Sequence, residues 1–232
     1  MSEFKGRRVL VTGSASGAGR ATAAAFQEAG ASVFGVDIAD QGDVAWTTVQ
    51  ADLASPDLAS VISSAGHVDV LVNAHGLLEP LEIEDISPAD FDRAIAINLR
   101  SVFFLAQGFA PAMVGQNWGR IINFSSVVAH TGGVTSAAYA AAKAGVIAMT
   151  KSMARKYAPA AVTVNSIAPA AIDTPLNAFL TPEQRADVEA AIPLGRFSQP
   201  DEFAAVVLFL ASEKAGYITG ATLDVNGGWV MA

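Results

Sequence analysis

Seven short apolar or β-branched runs alternate with alanine-rich stretches of helical character along all 232 residues, and this alternation narrows the possible folds more than any other feature. Residues 8–12, 32–37, 46–49, 68–73, 120–124, 162–167 and 221–225 read as strands. Helical signals fill the gaps: 18–29 closed by Gly30, a helix opened by Ser55-Pro56, 88–113, 136–157, a looser segment over 176–191, and 200–211. Strands joined by helices of this length run parallel through right-handed crossovers. The expected fold is a Rossmann-like, doubly wound α/β domain. Its sheet is mainly parallel and seven-stranded, with helices on both faces, and ligands bind at the carboxyl ends of the strands. No linker, repeat or low-complexity segment interrupts residues 1–232, which read as one domain.

Hydrophobic residues make up 52% of the chain and charged residues 16%, enough apolar surface to cover both faces of such a sheet. A net charge of −8 argues against nucleic acid or an anionic membrane as partner. There is no cysteine, so disulfides and thiolate metal sites are excluded, and no metal is expected. The N-terminal residues lack the pattern of a signal peptide, and no uninterrupted apolar run reaches the roughly 18–20 residues of a membrane span. A cytoplasmic protein is expected.

The loop Thr12-Gly13-Ser14-Ala15-Ser16-Gly17-Ala18-Gly19 joins the first strand to the first helix. Glycines there permit a tight turn and let backbone N–H groups approach a pyrophosphate at the positive end of a helix. Asp37 closes the second strand, where a carboxylate can accept from the hydroxyls of an adenosine ribose and repel a 2′-phosphate. With no arginine or lysine in the loop before Arg20 or directly after Asp37, NAD is expected over NADP.

Tyr139 and Lys143 stand four residues apart, on one face of a helix. A phenol ordinarily titrates near pH 10. A neighbouring ammonium favours the phenolate and brings it within range for proton exchange. Ser126, at the end of the fifth strand, and Asn98, within a helix, complete the pattern. With Thr12-Gly13, Gly17-Ala18-Gly19, Asp52-Leu53, Asn73-Ala74-His75-Gly76 and Asn226-Gly227-Gly228, the chain resembles the short-chain dehydrogenase/reductase family from end to end.

That resemblance implies roles. Tyr139 is the general acid/base, and Ser126 stabilises charge on the reacting oxygen. Lys143 lowers the Tyr139 pKa and holds the nicotinamide ribose, while Asn98 supports a water linking Lys143 to solvent. Asp52 meets the adenine amine with Leu53 beside the ring. Asn73 and Gly76 border the adenosine, and Ile172 and Thr174 contact the carboxamide and the adjacent phosphate. A homotetramer or homodimer is also implied, with 98–113 and 136–157 between subunits. The chain departs from the family's Asn-Asn-Ala-Gly at Ala74-His75 and from its Pro-Gly at Pro169-Ala170.

The segment 176–196 is expected to cover the pocket, with Leu176 and Phe179 touching a small alcohol or ketone and His130 a further contact. The leading expectation is a cyclic or aromatic-ring alcohol or dihydrodiol, because Ser126-x-x-Ala129-His130-Thr131 is similar to the same stretch in 2,3-dihydro-2,3-dihydroxybenzoate dehydrogenases. The alternative is a 3-hydroxyacid or 3-oxoacyl substrate. A non-catalytic dinucleotide sensor is a third reading, whose expected signature, loss of Tyr139 or Lys143, is not seen. Glu79, Glu82, Glu84 and Asp85 read as a solvated loop. Phe103, Phe104 and Phe109 read as core or subunit interface.

Overall fold

Within each strand, neighbouring side chains feed opposite cores, as the two-residue period of an extended chain requires. Val9 and Val11 enter one apolar cluster and Leu10 the other, and Val70 and Val72 divide from Leu71 in the same way. A computed structural model describes residues 3–55, 57–132 and 137–231 of the chain. The expected helix starts at Pro56 and Ser136 lie outside the described residues.

The strands are β1 (Arg8–Thr12), β2 (Ser32–Asp37), β3 (Thr47–Gln50), β4 (Val70–Asn73), β5 (Gly119–Phe124), β6 (Val162–Pro169) and β7 (Thr222–Val225). As expected they form one seven-stranded parallel sheet, and its order is β3-β2-β1-β4-β5-β6-β7. The helices are α1 (Gly17–Glu28), α2 (Ala59–Ala65), α3 (Pro88–Ile95), α4 (Ser101–Gly115), α5 (Val128–Thr131), α6 (Ala137–Tyr157), α7 (Pro182–Ala191) and α8 (Pro200–Ala211). α1 and α8 cover one face through Phe26, Phe203, Val207 and Leu210. α2, α4 and α6 cover the other through Val61, Leu105, Phe109, Met113 and Met153. Strand order reverses between β1 and β4, so a crevice opens there beyond the carboxyl ends.

The expected helix over 88–113 is broken. α3 begins on a capping box, in which Ser87 accepts from the Asp90 N–H and Asp90 accepts from the Ser87 N–H. It then passes through a single π turn, Ala96–Arg100, before α4 resumes. Such a turn inserts one residue and redirects the side chains that follow. Pro88–Gly115 is long and apolar enough to cross a membrane by length and composition. Its Leu105, Ala106, Phe109, Ala110 and Met113 are instead buried against the sheet, making this a core helix.

Candidate active site

A cleft of about 820 Å³ lies over the strand ends at the switch point. The glycine loop forms one wall through Gly13, Ser16, Gly17, Ala18 and Gly19, with Asp37, Asp52 and Leu53 beyond it. The floor is Gly76, Ser126, Tyr139 and Lys143, and the far wall carries Ile172, Thr174, Leu176 and Phe179. Asn73 and Asn98 sit behind this lining. Asn73 is buried in β4 and donates to Asn123 Oδ1 at 2.9 Å.

The loop's close packing depends on missing side chains. A Cβ on Gly19 would fall 2.1 Å from the Gly13 carbonyl oxygen, so only glycine lets α1 begin so near the turn. Ser16 precedes the helix without capping it by its side chain, leaving the first-turn N–H groups directed at the cleft. This cradle, with the long groove running past Asp52 and Leu53, fits a dinucleotide.

The end of β5 organises the chemistry. Tyr139 and Lys143 project from one face of α6 and are almost fully buried. Lys143 Nζ donates to the Phe124 carbonyl at 2.8 Å, and the Ser125 hydroxyl donates to the Lys143 carbonyl at 2.8 Å. The Ser126 hydroxyl acts on the Tyr139 phenol. Burial pushes that phenol up to about 12, against which the Ser126 hydroxyl pulls it down. Burial draws the Lys143 ammonium down to about 8. Lys143 lies over the Tyr139 ring, 5.6 Å from its centroid, and the group that acidifies the phenol is Ser126.

Asn98 occupies the π turn, completely buried. Its Nδ2 donates to the Leu77 and Ala94 carbonyls at 2.9 and 3.0 Å, and its Oδ1 accepts the Leu77 N–H at 3.0 Å. It thereby pins the loop that follows β4 to the helix floor.

A family model described as enoyl-(acyl carrier protein) reductase matches residues 13–230. The 3-oxoacyl-[acyl-carrier-protein] reductase FabG of Vibrio cholerae is 39% identical over 241 residues, spanning 98% of this chain and 99% of that protein. The chain belongs to the short-chain dehydrogenase/reductase family. Among solved short-chain dehydrogenase/reductase structures, one assigned as an NAD(P)-dependent gluconate 5-dehydrogenase of Beutenbergia cavernae is similar with a TM-score of 0.93. It shares 34% identity, 98% of each chain is covered, and it holds NADP at low occupancy. Another, assigned as a 2-deoxy-D-gluconate 3-dehydrogenase of Agrobacterium tumefaciens, has a TM-score of 0.91 and 31% identity over 98% of this chain and 97% of that one. It too holds NADP.

The NADP in these relatives overturns the expected preference for NAD. The geometry gives the reason why Asp37 misled. Its Oδ2 accepts the Ala15 N–H and its Oδ1 the Ala39 N–H, each at 2.9 Å. The carboxylate already ties the glycine loop to the turn after β2, so an acid at this position does not by itself report on the ribose. Asp52 is engaged in a similar way, accepting the Ala54 N–H at 2.8 Å.

Of the expected substrate contacts, Leu176 and Phe179 line the cleft but His130 does not. His130 Nε2 lies 3.5 Å from Asp224 Oδ1 on β7, because the single turn of α5 points it away from Ser126. Its neighbours Val128 and Thr131 face the cleft instead. Leu78 and Val188 line the cleft without having been expected there, and Trp229, whose place near the C-terminus lets it reach the rim, lines it as well. Nothing local marks the first two: all three meet only where the loop after β4, α7 and the C-terminal turn converge. Among the described residues, no cluster of three metal-ligating side chains occurs.

Proposed function

We propose that this oxidoreductase of CH–OH donors works as a reductase of 3-oxoacyl thioesters, with a reduced nicotinamide dinucleotide as the hydride source. The observation that carries this reading is the apolar wall of Leu78, Val128, Leu176, Phe179, Val188 and Trp229 in the cleft that also holds Tyr139. Such a wall suits an acyl chain. The nearby cations are already paired: Arg93 with Glu79 at 3.1 Å, and Arg185 with Asp173 at 2.9 Å and Glu189 at 3.1 Å. The likeness to a 3-oxoacyl reductase over nearly the whole chain supports it. The cyclic or dihydrodiol alcohol draws no such support, and His130, the residue behind it, faces Asp224.

The proton chemistry suits reduction. A phenol raised to about 12 is protonated at neutral pH and can donate to the oxygen of a ketone. The Ser126 hydroxyl steadies the charge that gathers on that oxygen. Lys143, near 8, exchanges protons readily at physiological pH and resupplies Tyr139. The bound nicotinamide would supply the hydride. Gly13, Ser16, Gly17, Ala18 and Gly19 would hold its pyrophosphate, with Asp52, Leu53, Asn73 and Gly76 on the adenosine side. Ile172, Thr174 and Lys143 would bound the nicotinamide half. Asn98 keeps the floor of the site in place. We further assign the protein to the cytoplasm as a homotetramer, α4 presenting exposed Phe103 and Phe104 to a second copy.

The test is a substrate panel read by NADPH and NADH absorbance. It compares 3-oxoacyl thioesters of N-acetylcysteamine with cyclic ketones and dihydrodiols. The thioesters should be reduced at least tenfold more efficiently; faster turnover of the cyclic compounds would contradict the reading.

A further inference from the structure

His75 stands where the family carries alanine, and the roles above do not use it. It is buried, and both ring nitrogens are engaged. Nδ1 lies 2.6 Å from Thr12 Oγ1, while Nε2 lies 2.7 Å from Ser101 Oγ and 3.1 Å from the Ile97 carbonyl. Thr12 ends β1 immediately before the glycine loop. Ile97 and Ser101 lie on either side of Asn98. The imidazole therefore spans from the cofactor loop to the π turn.

The proton directions can be read from the partners. Thr12 Oγ1 accepts the Ala74 N–H at 3.1 Å, and its own proton has His75 Nδ1 at 2.6 Å or the Val72 carbonyl at 3.3 Å; the shorter contact takes it. Ser101 Oγ donates to the Ile97 carbonyl at 2.6 Å and so accepts from Nε2–H. A continuous chain runs from Ala74 N–H through Thr12, His75 and Ser101 to Ile97, and it is complete only for the neutral imidazole protonated at Nε2. Burial, with the Lys143 charge nearby, pushes the ring down to about 3 and keeps it neutral. His75 also fixes the path of Gly76, where the cleft floor converges. A Cβ on Gly76 would meet Asn98 Oδ1 at 3.1 Å and Lys143 Nζ at 3.5 Å.

We infer that His75 is a positioning residue that couples the glycine loop to the π turn and so holds Asn98 and Lys143 in register with Tyr139. It rests on Tyr139 and Lys143 acting in catalysis, not on the identity of the acyl substrate. The test combines nitrogen-15 NMR of the imidazole with kinetics on 3-oxobutyryl-N-acetylcysteamine and NADPH, NADH in parallel. The ring should remain the neutral Nε2–H tautomer from pH 5 to 8.5. His75→Ala, which places the family's usual residue there, should fold and lose about tenfold in kcat with little change in ketone KM. His75→Gln, whose amide N–H can reach Ser101, should recover at least threefold of this. Ser101→Ala and the double variant should lose no more than His75→Ala alone. Titration near pH 6.5, wild-type turnover in His75→Ala, or additive losses would overturn the inference. If the thioester is not reduced at all, the substrate reading fails while the tautomer still decides this one.

Discussion

Lys143 Nζ donates to the Phe124 carbonyl at 2.8 Å, fixing the ammonium over the face of the Tyr139 ring. The next residue adds to the arrangement, the Ser125 hydroxyl donating to the Lys143 carbonyl at 2.8 Å. Phe124 and Ser125 thus tie Lys143 and its turn of α6 to the end of the sheet.

Ser126→Ala removes the one interaction that opposes the burial of the phenol, together with the donor proposed for the substrate oxygen. Turnover should fall by about a hundredfold or more, with a small change in ketone KM. Steady-state kinetics check this; a loss below threefold would show that Ser126 is not at the reacting oxygen.

Lys143 gives stability a recognisable pH signature. Its folded pKa, about 8, lies below the ordinary 10.5, so between these values the unfolded chain binds the proton and the folded chain does not. Stability from this residue therefore rises with pH across that window. Relative to Lys143→Met, the wild type should gain about 3 kcal/mol between pH 7 and 10.5, from 1.36 kcal/mol per unit. Tyr139 acts in the opposite sense, and only from pH 10 to 12. Denaturant melts of both proteins test this, and a gap constant with pH would contradict it.

Gly19→Ala places a methyl group 2.1 Å from the Gly13 carbonyl oxygen, a contact the backbone must move to relieve. Dinucleotide affinity, measured by NADPH fluorescence, should drop at least tenfold even where the protein remains folded by circular dichroism. Unchanged affinity would mean that this loop does not hold the pyrophosphate.

Phe179→Ala and Leu176→Ala open the apolar wall without touching Tyr139. They should raise KM for an eight-carbon 3-oxoacyl thioester about tenfold, at roughly 1.5 kcal/mol per apolar side chain. The four-carbon thioester should be nearly unaffected. Equal effects on both lengths would remove these residues from the acyl path.

Much of this was legible in the sequence because it is local. The alternation of Val9, Leu10 and Val11, the glycine loop and the spacing of Tyr139 and Lys143 each depend on residues a few positions apart. The π turn was not legible: the apolar pattern over 88–113 is continuous, and Asn98 binds Leu77, 21 residues back. His75 is explained only by Thr12 and Ser101, far away in the chain. Spacing also carries no depth. It placed Lys143 beside Tyr139, but the burial that raises one pKa and lowers the other belongs to the packed sheet. The preference for NAD failed for a similar reason, since the two loop amides that engage Asp37 are visible only in the fold.

In the proposed reaction the Tyr139 phenol donates its proton to the substrate oxygen. Single-turnover reduction of 3-oxobutyryl-N-acetylcysteamine by NADPH, comparing Tyr139→Phe with wild type, tests it most directly. A loss of about a thousandfold in the chemical step is expected, with NADPH affinity within twofold of wild type. A variant that reduces the thioester at the wild-type rate would contradict the account.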